Sequence, residues 1–168
     1  MKSRIALSGL RSVFNSTVSE LYSIEVAQAD ILAEVIPHIS NPNLVEILKK
    51  HELETLSQIE KVKSILESLD LPSLEQKSKT IMAFYKEVEE ALKNFDKGEE
   101  LDLKIAASLR KVEHFEVGSY GTARIFAAHL DEHFAYSILE GIWKEEINAD
   151  KNIESFILEF CKVGMAIG

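Results

Sequence analysis

The chain has 168 residues, of which 46% are hydrophobic and 28% charged, with only 7 Gly and 3 Pro. This composition is typical of one globular domain and excludes a disordered or low-complexity chain. The net charge of −9 disfavours binding to nucleic-acid phosphates or to an anionic membrane surface. No stretch approaches the length of an apolar transmembrane helix, so no membrane span is predicted.

The single cysteine, Cys161, cannot form an internal disulfide, which is compatible with the reducing cytoplasm. It lies in the apolar run FILEFCKVG, so a buried and unreactive thiol is predicted. We therefore expect a cytoplasmic protein.

Helical periodicity extends along nearly the whole chain, and no segment shows sustained alternation of apolar and polar residues. The first helix is predicted from about residue 7 to Pro37, which ends or kinks it. The second helix begins with Asn41 as N-cap and Pro42 at the first helical position, and it runs to about Leu69.

A shorter amphipathic helix follows, starting at a capping box formed by Ser73 and Gln76 and ending at the glycine of NFDKG. The third long helix is predicted over residues 101–130. The fourth starts at about residue 131 and reaches the C-terminus, with a break predicted near residues 148–150.

The connections between these helices predict the topology. Short loops join the first long helix to the second and the third to the fourth, so each pair is antiparallel. About 30 residues, including the extra helix, separate the two pairs, as in the ferritin-like variant of the four-helix bundle. We predict an all-α, ferritin-like four-helix bundle with one long crossover that carries an extra helix, in a single domain over residues 1–168.

Acidic residues interrupt the apolar face of each long helix near its middle. A bare carboxylate in a core costs several kcal/mol or takes up a proton. The same interruption in four helices is better explained by a cation at the centre of the bundle. The interrupting residues are Glu25 in the first helix, Glu54 in the second, Glu113 and Glu116 in the third, and Glu146 and Asp150 in the fourth.

The segment KVEHFEVGSYGTAR, residues 111–124, carries the densest part of this pattern. Glu113, Glu116 and Tyr120 share one helix face, so the two carboxylates can contact two ions at once. Carboxylate-rich sites suit Fe, Mn or Mg, and no His or Cys pair has the spacing of a zinc site. Tyr22 and Tyr120 each lie one turn from a proposed ligand. Three roles are open for them: a hydrogen bond to a carboxylate, a radical carrier, or an aromatic side chain that fills the core.

Alternative roles stay open for some of the candidate residues. Glu146 competes with the neighbouring Glu145 for the role of ligand. Asp150 is equally compatible with an N-cap of a last helical segment. His51 either supplies one nitrogen ligand or supports a ligand through a hydrogen bond.

Four segments resemble the YciE/YciF family of bacterial ferritin-like stress proteins: ELYSIE, HELETLSQIEKV, KVEHFEVGSYGTAR and WKEEINADK. The resemblance extends from about residue 10 into the last helix. It implies a dimeric ferritin-like bundle with a carboxylate-bridged dinuclear metal centre, holding two iron ions or manganese. The ligands that it implies are Glu25, Glu54, Glu113, Glu116, Glu146 and Asp150.

This ligand set departs from the better-known di-iron pattern, in which two helices carry Glu-x-x-His. Ser57 stands three residues after Glu54, and the last helix offers Asp150 in place of a histidine. The predicted site is therefore nearly all oxygen, which puts oxygen activation in question more than metal binding.

Two classes of function fit these observations. The first is a redox-active di-iron protein that oxidises Fe(II) with oxygen or peroxide under stress; a manganese catalase-type activity is a weaker variant. The second is a non-catalytic, stress-linked structural or interaction protein whose metal only stabilises the fold. The two classes share the same ligands, so no catalytic residue is assigned. The family resemblance and the amphipathic crossover helix predict a homodimer, with no nucleic-acid partner.

Overall fold

The computed structural model describes the backbone of residues 2–73 and 78–166 and the side chains of residues 7–73 and 78–162. All regular elements in these ranges are helical, which confirms the predicted all-α fold. The capping box predicted at Ser73 and Gln76 lies partly outside the described residues. The helices are α1 (Lys2–Val35), α2 (Pro42–Ser68), α3 (Lys79–Asn94), α4 (Glu99–His129) and α5 (His133–Ala166), with a single 3-10 turn at Ile36–His38.

The start of α2 follows the predicted capping pattern. Pro42 occupies the first position, and the side chain of Asn41 accepts hydrogen bonds from the backbone N–H groups of Asn43 at 3.0 Å and Leu44 at 3.4 Å. These bonds satisfy two amides that the helix itself leaves unpaired. The sharp turn between α1 and α2 makes the two helices antiparallel neighbours.

Two contacts fix the direction of α4 relative to α1. At the start of α4, Asp102 accepts hydrogen bonds from the backbone N–H groups of Ser40 at 2.9 Å and Asn41 at 2.7 Å, beside the α1–α2 turn. At the opposite end, Arg11 of α1 forms an ion pair with Glu132 in the α4–α5 turn. The helices α1 and α4 are therefore antiparallel.

The four long helices form a ring in the order α1, α2, α5, α4, because α1 packs on α2 and α4 while α5 packs on α4 and α2. Neighbours in this ring are antiparallel, so the diagonal partners α2 and α4 run in the same direction. This arrangement is the predicted ferritin-like bundle with one long crossover.

The crossover helix α3 packs on the outside of the groove between α1 and α4. Its buried face consists of Ile81, Val88 and Ala91. The ring of Phe84 lies 6.0 Å from that of Phe115 on α4, centroid to centroid. None of the described helices is long and apolar enough to cross a membrane.

Two local predictions are wrong. The fourth long helix, α5, continues without a break through residues 148–150, so Asp150 is not an N-cap. No Gly or Pro interrupts that stretch, and the Asp150 side chain bonds to α4 instead of to its own backbone. Cys161 is exposed, because it lies beside the buried positions of α5 rather than among them.

Candidate metal centre

Polar side chains replace apolar ones at the middle of the bundle, where all four long helices meet. Each of these residues is at most 3% exposed, although most belong to types that normally lie at the surface. We call them the central cluster: Glu25 and Gln28 on α1, His51, Thr55 and Gln58 on α2, Glu113, Glu116 and Tyr120 on α4, and Glu146 on α5.

Helical spacing explains why these residues meet. Within each helix, members of the cluster are three, four or seven residues apart, so they share the face that also carries the apolar core. The helices α2 and α4 run in the same direction, and His51 of α2 contacts Glu113 of α4, so the two residues lie at the same level of the bundle. The helix α5 runs antiparallel to α2 and places Glu146 beside Gln58, which is seven residues after His51 on α2.

One end of the cluster joins three helices at a single carboxylate oxygen. Glu113 Oε1 lies 3.0 Å from His51 Nε2 and accepts a hydrogen bond from Gln28 Nε2 at 3.0 Å. The Gln28 and His51 nitrogens are themselves 3.2 Å apart. These contacts hold the Glu113 carboxylate in one orientation and leave its second oxygen without a partner.

The other end of the cluster is held by Gln58. Its amide nitrogen donates to Glu146 and also to Glu145 Oε2 at 3.0 Å. Glu145 is in turn paired with Lys61, at 2.8 Å between Nζ and Oε1. The two neighbouring glutamates thus differ: Glu145 has a cationic partner near the surface, whereas Glu146 faces the core.

Tyr120 fixes the remaining carboxylate of the cluster. Its hydroxyl donates a hydrogen bond to Glu25 Oε1, and both side chains are buried. Glu25 Oε2 has no protein partner. Each of Glu25, Glu113 and Glu146 therefore has one oxygen held by a neutral or imidazole group and one oxygen free for another ligand.

Glu116 differs from the other three glutamates, because neither of its carboxylate oxygens has a hydrogen-bond partner although the residue is 1% exposed. A buried carboxylate without partners is strongly unfavourable. Each of His51, Glu113, Glu116 and Glu146 offers a ligand atom within 4.8 Å of all the others. Two ligands on opposite sides of one ion, each about 2.0–2.2 Å from it, lie about 4.0–4.4 Å apart. Donor atoms within 4.8 Å of one another are close to this separation, so the donor set can hold a cation with small side-chain shifts.

The pKa values of the buried glutamates also favour a bound cation at the cluster. Burial raises the pKa of Glu25 from 4.5 to about 8, although the Tyr120 hydrogen bond and His51 act in the opposite direction. Burial, with the charges of Glu25 and Glu113, raises the pKa of Glu116 well above 4.5. Burial and the other glutamates likewise raise the pKa of Glu146. Without a cation, the folded centre therefore retains protons that the unfolded chain would release.

His51 is the basic residue of the cluster. Burial lowers its pKa, but the charge of Glu113 and the hydrogen bond to it outweigh that effect, and the net pKa is raised from 6.5. The imidazole stabilises negative charge when it is protonated. When it is neutral it can supply a nitrogen ligand, since Nδ1 has no protein partner.

Sequence comparison identifies the family. The family model described as "Domain of unknown function (DUF892)" matches residues 9–162. The chain belongs to this DUF892 family. It is 30% identical to protein YciF of Escherichia coli K12 over 142 residues, which cover 84% of this chain and 86% of YciF.

Solved structures extend the comparison to three dimensions. The crystal structure of the E. coli stress protein YciF matches with a TM-score of 0.86 and 28% identity, covering 91% of this chain and 97% of that one. YcfI of Rhodopseudomonas palustris, for which a structural role has been suggested, matches with a TM-score of 0.81 and 26% identity, over 86% and 92% of the two chains. These matches confirm the resemblance to the YciE/YciF family and the fold.

The structure of this DUF892-family chain brings together four of the six ligands that the sequence predicted: Glu25, Glu113, Glu116 and Glu146. It does not bring Glu54 to the centre. The Glu54 side chain is 31% exposed and its Oε1 lies 3.3 Å from Lys50 Nζ. The buried positions of α2 include His51, Thr55 and Gln58, and Glu54 lies beside this stripe.

Asp150 also lies outside the cluster. Its Oδ1 accepts a hydrogen bond from Arg110 Nε at 2.9 Å and lies 3.0 Å from His114 Nε2. The second guanidinium nitrogen of Arg110 reaches Glu154. Asp150 therefore belongs to a partly exposed group of polar side chains between α4 and α5, in which Arg110 is its cationic partner.

Sequence reasoning named His51 and Tyr120 without settling their roles, and it missed the role of Gln28. The spacing of Gln28 could have predicted its position, because it follows Glu25 by three residues and therefore shares its helix face. Tyr120 forms the carboxylate hydrogen bond that was one of its predicted roles. Tyr22 is half-buried and packs against the apolar core.

Proposed function

We propose that the central cluster holds two divalent metal ions, iron or manganese. The observation that carries this proposal is Glu116, a buried carboxylate with no partner on either oxygen, surrounded by three more glutamates with free oxygens. Four carboxylates balance the charge of two divalent ions. Carboxylate oxygens with a single imidazole suit iron or manganese better than a structural zinc ion.

The ligands in this proposal are Glu25, His51, Glu113, Glu116 and Glu146. The neutral side chains around them act as supports: Gln28 orients Glu113, and Gln58 orients Glu146. Hydrogen bonds of this kind fix the direction in which a ligand oxygen points and tune its basicity.

The function that this centre supports best is oxidation of Fe(II) with oxygen or peroxide as part of a stress response. Bound iron would supply the electrons for that reaction. The protein contributes a site shielded from bulk water, since every residue of the cluster is at most 3% exposed. It also contributes groups that can hold protons, because burial raises the pKa values of Glu25 and Glu116. The description of the E. coli relative as a stress protein supports the stress connection.

A second candidate function is structural, with the metal stabilising the fold. The complete burial of the cluster favours it, because no residue of the cluster reaches the surface to admit a large substrate. The structural role suggested for the R. palustris relative points in the same direction. In this case metal would bind tightly without accelerating iron oxidation.

We also propose that the protein is a cytoplasmic homodimer. Among the side chains that the structure describes, four large apolar ones are more than half exposed: Val13, Leu53, Phe134 and Leu158. Association would cover part of this surface. Light scattering should give about twice the chain mass of 18.9 kDa, and a monomer or a large cage would contradict this proposal.

The decisive experiment starts with elemental analysis of protein purified without added metal. Anaerobic Fe(II) loading should then give about two ions per chain, as carboxylate-bridged dinuclear bundles require. Exposure to oxygen should produce a ferric absorption band and consume Fe(II) faster than buffer alone. Tight binding with no faster oxidation would select the structural function, and absence of binding would contradict both. Glu54→Gln is the matched control, because Glu54 lies on α2 outside the cluster.

A further inference from the structure

Thr55 differs from most helical hydroxyl residues in the described part of the chain, and it shares only with Ser108 a buried hydroxyl that has no hydrogen-bond partner. Thr17, Ser119 and Thr122 each donate to the carbonyl four residues earlier, at 2.8–2.9 Å. This back-bonding is the usual way for a helix to satisfy a threonine or serine. Thr55 is 0% exposed, yet its hydroxyl has no hydrogen-bond partner among the described residues.

The position of Thr55 on α2 places it at the centre of the cluster. It follows His51 by four residues and precedes Gln58 by three, and these two residues contact Glu113 and Glu146 at opposite ends of the cluster. Thr55 lies between those ends, on the same face.

Glu116 lies at the same level on the diagonal helix. It is one turn beyond Glu113 on α4, which runs in the same direction as α2, just as Thr55 is one turn beyond His51. Neither the Thr55 hydroxyl nor either Glu116 oxygen has a hydrogen-bond partner, so the two groups do not bond to each other. Both groups are therefore left without a protein partner at this level of the bundle.

Gln58 adds a second polar group to this side of the cluster. Its amide nitrogen donates to Glu145 and Glu146, and its Oε1 is buried without a partner. A ligand held here would meet a hydroxyl that can donate or accept and a carbonyl that accepts. Water and hydrogen peroxide have this combination of donor and acceptor sites, and both are small enough for a fully buried position.

We propose that the Thr55 hydroxyl positions a small oxygen ligand, water or hydrogen peroxide, on the α2 side of the cluster, with Gln58 Oε1 as its acceptor. This inference rests on the proposed function, because the ligand would share the space with the metal ions. Thr55 is a positioning residue that does not itself bind metal. A valine would fill the same volume without leaving a buried hydroxyl unpaired, so core packing alone does not account for the threonine.

The test uses Co(II) as a redox-stable metal and azide as the probe ligand. Anaerobic titration with Co(II), followed by visible absorption, measures metal binding. Azide is then added to the loaded protein, and the change in the Co(II) absorption bands gives its dissociation constant. The chains compared are the wild type, Thr55→Val, Thr55→Ser and the control Thr122→Val, whose hydroxyl donates to the carbonyl of Gly118.

We expect Thr55→Val to bind Co(II) as the wild type does but to bind azide about three- to tenfold more weakly, the effect of one lost hydrogen bond. Thr55→Ser should restore azide binding, and Thr122→Val should leave it unchanged. Equal azide affinity in the wild type and Thr55→Val would overturn this inference while leaving the metal site intact. A wild type that binds no Co(II) would overturn the proposed function, and the inference with it.

Discussion

Glu146 and Asp150 lie one turn apart on α5, yet the fold places them in opposite surroundings. Asp150 is paired with Arg110 and His114 from α4. Glu146 is 1% exposed and accepts a hydrogen bond from the neutral amide of Gln58. The protein thus supplies the counter-charge for one carboxylate and leaves the other to an external cation or a proton.

The same contrast separates the whole central cluster from the surface. Surface carboxylates such as Glu54, Glu140 and Glu145 are paired with lysine or arginine side chains. Among the described residues, no lysine or arginine forms an ion pair with any of the four glutamates of the cluster, and His51 is their basic neighbour. Burial of charge without compensation is costly, and this supports the proposal that the cluster holds a ligand.

The largest expected effect is on metal binding. Replacing Glu116 with Gln removes the carboxylate that no protein group holds, whereas Asp150→Asn changes a carboxylate that the protein already pairs. We expect Glu116→Gln to weaken Mn(II) or Fe(II) binding about 100-fold or more, since even supporting residues cost about 10- to 100-fold. Anaerobic calorimetric titration measures both variants. An equal loss of metal affinity in the two variants would show that Asp150 belongs to the metal centre and that Glu146 and Asp150 do not differ in role.

The next effect is the pH dependence of stability without metal. The folded-state pKa of Glu25 is about 8 against an ordinary value of 4.5, and the pKa of His51 is also raised. The folded state therefore binds more protons than the unfolded state. The stabilisation is fully present below the unfolded pKa and is lost as pH rises through the folded pKa. Apo protein should become less stable between about pH 5 and pH 8.

Metal should reverse this trend, because it binds the deprotonated carboxylates of the folded state and competes with protons. Thermal melts followed by circular dichroism, with EDTA or with excess Mn(II), measure both cases across this range. The gap between the two melting temperatures should widen as pH rises. An apo melting temperature that stays level or rises from pH 5 to pH 8 would show that the cluster does not retain protons.

The sequence predicted the fold and four glutamates of the cluster for identifiable reasons. Helical period and the Asn41–Pro42 capping pattern are local properties, and the connection lengths restrict the topology. Glu25, Glu113, Glu116 and Glu146 lie among apolar neighbours at core positions, so the local pattern placed them correctly.

The positions of Glu54 and Asp150 outside the cluster have a different origin. Adjacent helical residues are about 100° apart, so whether Glu54 or Thr55 faces the centre depends on how α2 is rotated against its neighbours. Asp150 lies outside the cluster because it is paired with Arg110 on another helix, 40 residues earlier, a contact that the local sequence pattern does not show. Gln28 carries no charge and therefore did not stand out in a pattern defined by acidic residues.

A smaller effect is expected from two tyrosine–glutamate hydrogen bonds, one inside the central cluster and one outside it. Tyr120 donates to the buried Glu25, and Tyr85 on α3 donates to the half-buried Glu34. Tyr120→Phe should weaken Mn(II) binding about tenfold, because Glu25 loses the bond that orients it. Tyr85→Phe should leave metal binding unchanged. The same calorimetric titration applies, and unchanged binding in Tyr120→Phe would assign this tyrosine to core packing.

The smallest effect is on the stability of the metal-free protein. Its direction should differ between Glu116→Gln in the central cluster and Asp150→Asn outside it. Without metal, burial and the charges of Glu25 and Glu113 raise the pKa of Glu116 well above 4.5. The folded state therefore favours the protonated form of this side chain, which a glutamine resembles closely. Glu116→Gln should therefore melt at or slightly above the wild-type temperature.

Asp150→Asn should melt lower, because it loses an ion pair with Arg110 that is partly exposed and contributes about 1 kcal/mol or less. Urea unfolding at pH 7 in EDTA resolves differences of this size when the m-values agree. A Glu116→Gln variant clearly less stable than Asp150→Asn would mean that Glu116 already has a stabilising partner in the apo protein. In that case the buried carboxylate would be a structural element, and its free oxygens would no longer point to a metal.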